Sequence, residues 1–145
     1  MNRLYQQYRD RAAFYVVYIQ EAHPTDLWQM ESNRRDDVLF ASSRTAEERA
    51  QTANVCVVKL AIRIPALVDE IDNPTERAYT GWPDRLYIVG TDGRIDYKSA
   101  PGPYGFSTTQ LEEALGRALS RVALSERASA SGPARGGGAP RECEQ

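Results

Sequence analysis

Glu21 and His23 stand two residues apart just behind an eight-residue apolar run, residues 12–19. In open α/β sheets ligands bind past the carboxyl ends of strands. A carboxyl and an imidazole at such a place are therefore the first candidates for chemistry. If extended geometry continues through residues 19–23, alternation puts both side chains on one side. A carboxylate beside an imidazole sets its tautomer and raises its pKa, which yields a proton donor near neutral pH. The competing reading is a loop histidine packed on Pro24, because a lone His–Glu pair is not a specific signal. Cys56 lies in the apolar stretch Val55-Cys56-Val57-Val58, in the middle of an expected helix. That is the place of an inert core thiol and not of a nucleophile at a helix N-terminus. Asp69, Glu70 and Asp72 lack further ligands and read as a solvated loop rather than a cation site.

These residues need elements to hold them. Residues 1–8 read as the end of a helix, with Leu4, Tyr5 and Tyr8 on one face. Residues 14–19, Phe-Tyr-Val-Val-Tyr-Ile, suit a strand buried on both faces. Residues 21–35 turn polar around Pro24 and read as a loop. Thr45-Ala46-Glu47-Glu48 fits a capping box, Thr45 at N-cap and Glu48 at N3. The helix it opens runs to about Val58, with Ala46, Ala50, Ala53 and Val57 facing inward. Residues 64–68 form a second strand. Asp72-Asn73-Pro74 breaks the chain, and residues 75–79 suit a helical turn. Residues 85–89 and 94–98 form a hairpin across Thr91-Asp92-Gly93. Ser107 or Thr109 caps a last helix with the stripe Leu111, Leu115, Ala118, Leu119 and Val122. From Ser125 the composition is Ser, Ala, Gly, Pro and Arg, so residues 1–124 are expected to be the domain and 125–145 a disordered tail. A β-α-β half, an antiparallel hairpin and a closing helix make the α/β plan of thioredoxin-like domains. In that plan a cis-proline precedes the third core strand, the place that Trp82-Pro83 occupies; the competing reading is a trans proline opening an ordinary strand.

Composition narrows the classes. A chain of 145 residues with 41% apolar content suits one domain with its own core. The net charge is −2 with no basic stripe, which argues against a nucleic-acid partner. An apolar run of eight is far short of the roughly 20 residues of a membrane span. With no signal peptide legible in residues 1–10, a cytoplasmic location is the expectation. One histidine and two distant cysteines, Cys56 and Cys143, build no structural zinc site. The one glycine run, residues 136–138, falls in the tail, so no phosphate loop is expected and no cofactor is called for.

The stretch Tyr15-Val16-Val17-Tyr18-Ile19-Gln20-Glu21-Ala22-His23-Pro24-Thr25-Asp26-Leu27-Trp28 closely resembles the signature of the iodothyronine deiodinases: an aromatic-aliphatic strand, Glu-Ala-His, then Asp-x-Trp. The resemblance continues through Ala78-Tyr79, Arg85-Leu86-Tyr87 and Gly102-Pro103-Tyr104-Gly105, and covers roughly residues 1–120. It implies a thioredoxin-like oxidoreductase in which a selenocysteine or cysteine attacks a ring iodine and a thiol reductant restores it. It implies a halogenated aromatic small molecule as substrate, and it allows a homodimer. His23 and Glu21 alone carry over as the residues for substrate contact and proton delivery. Pro83 is placed at the pocket by the thioredoxin-like plan, and Trp28 and Trp82 read either as pocket walls or as buried core tryptophans. Leu27 replaces a glycine of the animal members. Ser43 stands near where they have a second histidine, and Pro101 near an arginine, which puts iodothyronine itself in question as substrate.

No residue of the sequence fits the nucleophile, which this family keeps at the start of the first helix, where the helix N-terminus favours an anion. Parallel strands need a crossover between them, so a strand and the helix start are expected upstream of Met1. Two other readings stand beside this one: a nucleophile-free thioredoxin-like binding module, and a peroxiredoxin-like thiol reductase working through Cys56. The DNA just before the Met1 codon should hold an in-frame UGA or Cys codon behind a strand-like stretch. Sequencing that region checks it, and absence of both codons ends the expectation.

Overall fold

The computed structural model describes residues 1–130. The elements are α1 (Asn2–Tyr8), β1 (Val16–Tyr18), α2 (Glu31–Arg35), α3 (Ala46–Lys59), β2 (Ala66–Val68), α4 (Pro74–Tyr79), β3 (Tyr87–Val89), β4 (Ile95–Lys98) and α5 (Thr108–Ala130). They form a mixed α/β architecture with two small sheets. β1 pairs with β2 in parallel, Val17 opposite Leu67, with α3 as the connection between them. β3 pairs with β4 antiparallel, with a register irregularity at Ile88/Val89. Among the described residues, β1 and β3 each have one strand neighbour.

Local chemistry sets most of the element ends. Thr45 Oγ1 accepts the Glu48 amide at 3.2 Å, while Glu48 Oε2 reaches back to the Arg44 amide at 2.7 Å. The second bond falls one residue upstream of the usual capping-box partner and still satisfies an orphan donor at the α3 start. Ser107, not Thr109, caps α5: its Oγ accepts the Gln110 amide at 3.3 Å. In the hairpin, Gly93 takes φ +79, which only glycine adopts without strain, and Asp92 Oδ1 accepts the Arg94 amide at 3.0 Å. The expected loop at residues 21–35 contains the short α2. Glu31 in its first turn and Arg34 and Arg35 in its last complement the helix dipole.

Two cores result. The apolar one joins Leu4 of α1, Leu86 and Leu111 of α5, with Tyr8, Phe14, Ile88 and Tyr97 packed around them. Arg3 and Tyr8 both reach Glu112, at 2.6 and 3.4 Å, and tie α1 to α5. The other core is polar. Arg49 is 3% exposed and donates from Nη1 to the Glu70 carbonyl at 2.5 Å and Asn73 Oδ1 at 2.7 Å. Longer contacts go to the carbonyls of Asp69 (3.4 Å) and Ile71 (3.5 Å). Asn73, held by Arg49, gives α4 no side-chain cap. Asp69 supplies it instead, accepting the amides of Thr75 (3.1 Å) and Glu76 (2.8 Å).

Three expectations need correction. The inward face of α3 is Arg49 and Ala53, with Cys56 and Val57 half-buried, whereas Ala46 and Ala50 are exposed. The helix is turned by about one residue because the carbonyls of the 69–73 loop draw the Arg49 guanidinium inward. Asp69 is buried, not solvated, because the α4 amides need an acceptor; no group of three metal-ligating side chains forms among the described residues. Finally, α5 continues past residue 124 to Ala130. Ser, Glu, Arg and Ala prolong a helix, and no glycine or proline intervenes before Gly132-Pro133. The rest of the expected tail, with Cys143, lies outside the described residues.

Two stability outcomes follow. Leu4→Ala removes a side chain that is 1% exposed and should lower unfolding free energy by roughly 2–5 kcal/mol, read from urea denaturation. Burial alone would raise the Asp69 pKa, but the amides of Glu76, Thr75 and Glu70 outweigh it and hold the carboxyl below its ordinary 3.8. The folded state thus binds that proton less readily than the unfolded state. Its stabilisation is present above the ordinary value and is lost as pH falls through the lowered one. Thermal melts between pH 6 and 3 should show that loss in the parent and a smaller one in Asp69→Asn.

Candidate functional site

A cavity of about 340 Å³ opens just past the carboxyl end of β1. Glu21, Leu27, Ile71 and Trp82 line it, together with the polar side of Gln20, Ser42, Ser43, Arg49 and Asn73. Each wall has a local cause. Gln20 is tied to the loop after β2 by Asn73 Nδ2, which donates to Gln20 Oε1 at 3.3 Å. Ser42 is held by Asp26, whose Oδ1 accepts the Ser42 amide at 2.9 Å and its hydroxyl at 3.1 Å. That amide holds the Asp26 carboxyl below its ordinary range. Trp82 stands where the Gly81 amide caps the Glu76 carbonyl at 2.9 Å and the Trp82 amide meets Glu76 Oε1 at 3.4 Å.

The Trp82–Pro83 bond is cis, one of the two alternatives that its place before β3 left open. The Gly102–Pro103 bond is cis as well. Gly102 donates its amide to the Asp84 carbonyl at 3.1 Å. A Cβ there would overlap the Asp84 carboxylate, which would have to turn aside to admit it. Burial pushes the Asp84 carboxyl up.

The expected site residues divide into two groups. Glu21 is in the cavity with Trp82, and Pro83 follows Trp82. His23 packs its ring edge-on against Trp28, centroids 4.5 Å apart, outside the cavity lining. Glu21 and His23 are not hydrogen-bonded to each other, because β1 ends at Tyr18 and strand alternation stops before either residue. Gln29 Nε2 donates to the His23 carbonyl at 2.7 Å and closes the loop. His23 Nδ1 is buried without a protein partner, an open valence of the kind found at functional sites. Trp28 remains largely exposed and does not wall the cavity.

The electrostatics single out Glu21. Burial raises its pKa, with no cation contributing. Burial, and then the Glu21 carboxyl, push the Cys56 thiol up to about 11, against a smaller opposing effect of Lys59. Cys56 is therefore a protonated, poorly nucleophilic thiol at neutral pH. Arg49 is the cavity residue that sequence reasoning passed over. Its signal was a charge at i−4 from Ala53 on the helix face that must meet the sheet.

The fold and cavity define a mixed α/β domain with a carboxyl-bearing, aromatic-walled slot at a parallel strand's carboxyl end. The sequence profile described as iodothyronine deiodinase matches residues 1–119. The chain is 36% identical over 110 residues to the thyroxine 5-deiodinase of Sparus aurata, covering 76% of this chain and 39% of that protein. It is 30% identical over 116 residues to the human thyroxine 5-deiodinase, 80% of this chain and 36% of that one. It is 28% identical over 110 residues to the type I iodothyronine deiodinase of Xenopus laevis, 76% of this chain and 41% of that one. The chain belongs to the iodothyronine deiodinase family, and spans about two fifths of the length of these relatives. No helix among the described residues is long and apolar enough to cross a membrane.

Glu21 supplies a direct check. Because its folded pKa is raised, ionised Glu21 costs stability at neutral pH, and that cost fades as pH falls below the ordinary glutamate range. Glu21→Gln should melt at a higher temperature than the parent at pH 7, and the gap should close by pH 4. A parent equal to or more stable than Glu21→Gln at pH 7 contradicts the assignment.

Proposed function

We propose that this chain is the substrate-binding and proton-delivering part of a thiol-dependent reductive dehalogenase for iodinated aromatic rings. The observation that carries the reading is Glu21, a carboxyl made proton-retaining by burial, beside the apolar wall of Leu27, Ile71 and Trp82 in a family of deiodinases. Replacing ring iodine by hydrogen consumes two electrons and delivers one proton to carbon: aryl iodide and two thiols give arene, disulfide and hydrogen iodide. The two thiols provide the electrons. Glu21, and His23 through its unpartnered Nδ1, are suited to supply the proton to the ring carbon as the carbon–iodine bond breaks. The selenocysteine or cysteine that takes the iodine is assigned to sequence upstream of Met1, on a strand and helix start that complete a thioredoxin-like sheet. Supporting this, β1 and β3 each have an unpaired edge among the described residues, where one further strand would join the two sheets.

A nucleophile-free binding module is the second reading, favoured by the lack of a reactive thiol at the cavity among the described residues, since Cys56 is held protonated. The natural full-length protein, given dithiothreitol and an iodinated phenol, should release iodide. His23→Asn should slow release by about 10²-fold or more with an unchanged thermal melt. Parent-like turnover in that variant removes His23 from the mechanism, and ligand binding without any iodide release from the parent favours the binding module.

A further inference from the structure

The larger apolar side chains of the cavity lining stand at its mouth. Arg49 and Pro24 are buried and mark the deep end. Leu27, Ile71 and Trp82 line the same cavity, yet they are 75%, 38% and 44% exposed. They come from three separate segments: the loop after β1, the loop between β2 and α4, and the turn between α4 and β3. A leucine stabilises a fold through the surface it buries, so Leu27, three-quarters in solvent, contributes little to this one. Its backbone is nevertheless held. The Leu27 amide donates to the Pro24 carbonyl at 3.1 Å, and the Thr25 amide to the Phe40 carbonyl at 2.7 Å. Just before Leu27, Asp26 Oδ1 accepts the Ser42 amide and hydroxyl. Just after it, Gln29 Nε2 donates to the His23 carbonyl at 2.7 Å. With the chain pinned on both sides, the Leu27 side chain moves only among its own rotamers. It is a fixed post at the rim.

The space behind the rim is small. About 340 Å³ lies at the lower end of the roughly 300–1,000 Å³ of small-molecule pockets. One ring with its iodine and hydroxyl fills such a space, and a second ring joined to the first has to cross the rim. We propose that Leu27 is a specificity-determining residue that, with Ile71 and Trp82, closes the mouth around a single ring, so that the cavity takes one-ring iodophenols and rejects those carrying an aryl ether. The proposal rests on reading the cavity as the ring slot of a dehalogenase and adds to it the skeleton of the substrate.

The test gives the natural full-length protein 2-iodo-4-methoxyphenol and 2-iodo-4-phenoxyphenol, which share the iodinated ring and ether oxygen and differ by methyl against phenyl. Calorimetry reads affinity, and iodide release with dithiothreitol reads turnover. The methoxyphenol should bind about tenfold more tightly to the parent, against the apolar area that the second ring would otherwise bury. Leu27→Ala, which opens the rim without loosening the backbone as glycine would, should narrow that ratio about fivefold or more. Leu27→Phe should widen it. Both variants alter an exposed side chain, so the fold stands in each. Equal or tighter binding of the phenoxyphenol to the parent overturns the proposal and leaves the ring slot intact. A parent preference that Leu27→Ala does not change removes Leu27 as its cause and overturns the proposal too. Preferential binding of the methoxyphenol with no iodide release keeps the gate and overturns the dehalogenase reading. Failure of both ligands to bind overturns gate and ring slot together.

Discussion

The interaction on which the rest depends is the burial of one guanidinium in a cage of loop carbonyls. Arg49 cannot discharge itself, so its donors must find oxygen inside the protein. The loop between β2 and α4 supplies it by wrapping the carbonyls of residues 69–71 and the Asn73 amide around the arginine head. That wrapping has consequences in two directions. Through Asn73 it holds Gln20 and so the end of β1. By engaging Asn73 it leaves the α4 start to Asp69, and α4 in turn carries Glu76 and the seat of Trp82. Two walls of the cavity, Gln20 and Trp82, are thus linked to this one charged side chain.

The apolar core does a different job. Leu4, Leu86 and Leu111 bind α1, the hairpin and α5 together with no charged group among them, and each fully buried side chain of this kind contributes roughly 1.5–3 kcal/mol. This core holds the scaffold. The polar knot shapes the site. The separation is sensible physically, since hydrophobic packing is non-directional and hydrogen bonds to a planar guanidinium impose direction.

Burial acts on two titratable groups at the site. For Glu21 it raises the carboxyl pKa above the ordinary value. For Cys56 the same desolvation, increased by the Glu21 carboxyl, suppresses the thiolate. One environment thus shifts both groups toward holding their protons.

Much of the molecule was legible in the residue order. The Thr45–Glu48 cap, the Asp92-Gly93 turn and the Leu111 stripe are local signals, and each became the expected element; the β-branched run became the short β1, but with Tyr15 and Val17 exposed on one side and not buried on both faces. The Glu-Ala-His segment identified the family because it is short, contiguous and uncommon. What sequence alone could not settle was decided by partners distant in the chain. Asp69 read as a solvent-facing charge and Arg49 was passed over, since local pattern cannot tell that each will meet backbone groups about twenty residues away or across a loop. Glu21 and His23 were expected on one side by strand alternation, but β1 stops at Tyr18, and the loop sends the carboxyl to the cavity and the imidazole to Trp28. Sequence determined which chemistry this protein carries, because residue types and short-range spacing are written in it. Tertiary structure decided where each charge is buried and what answers it, because burial and long-range hydrogen bonding exist only once the chain has folded.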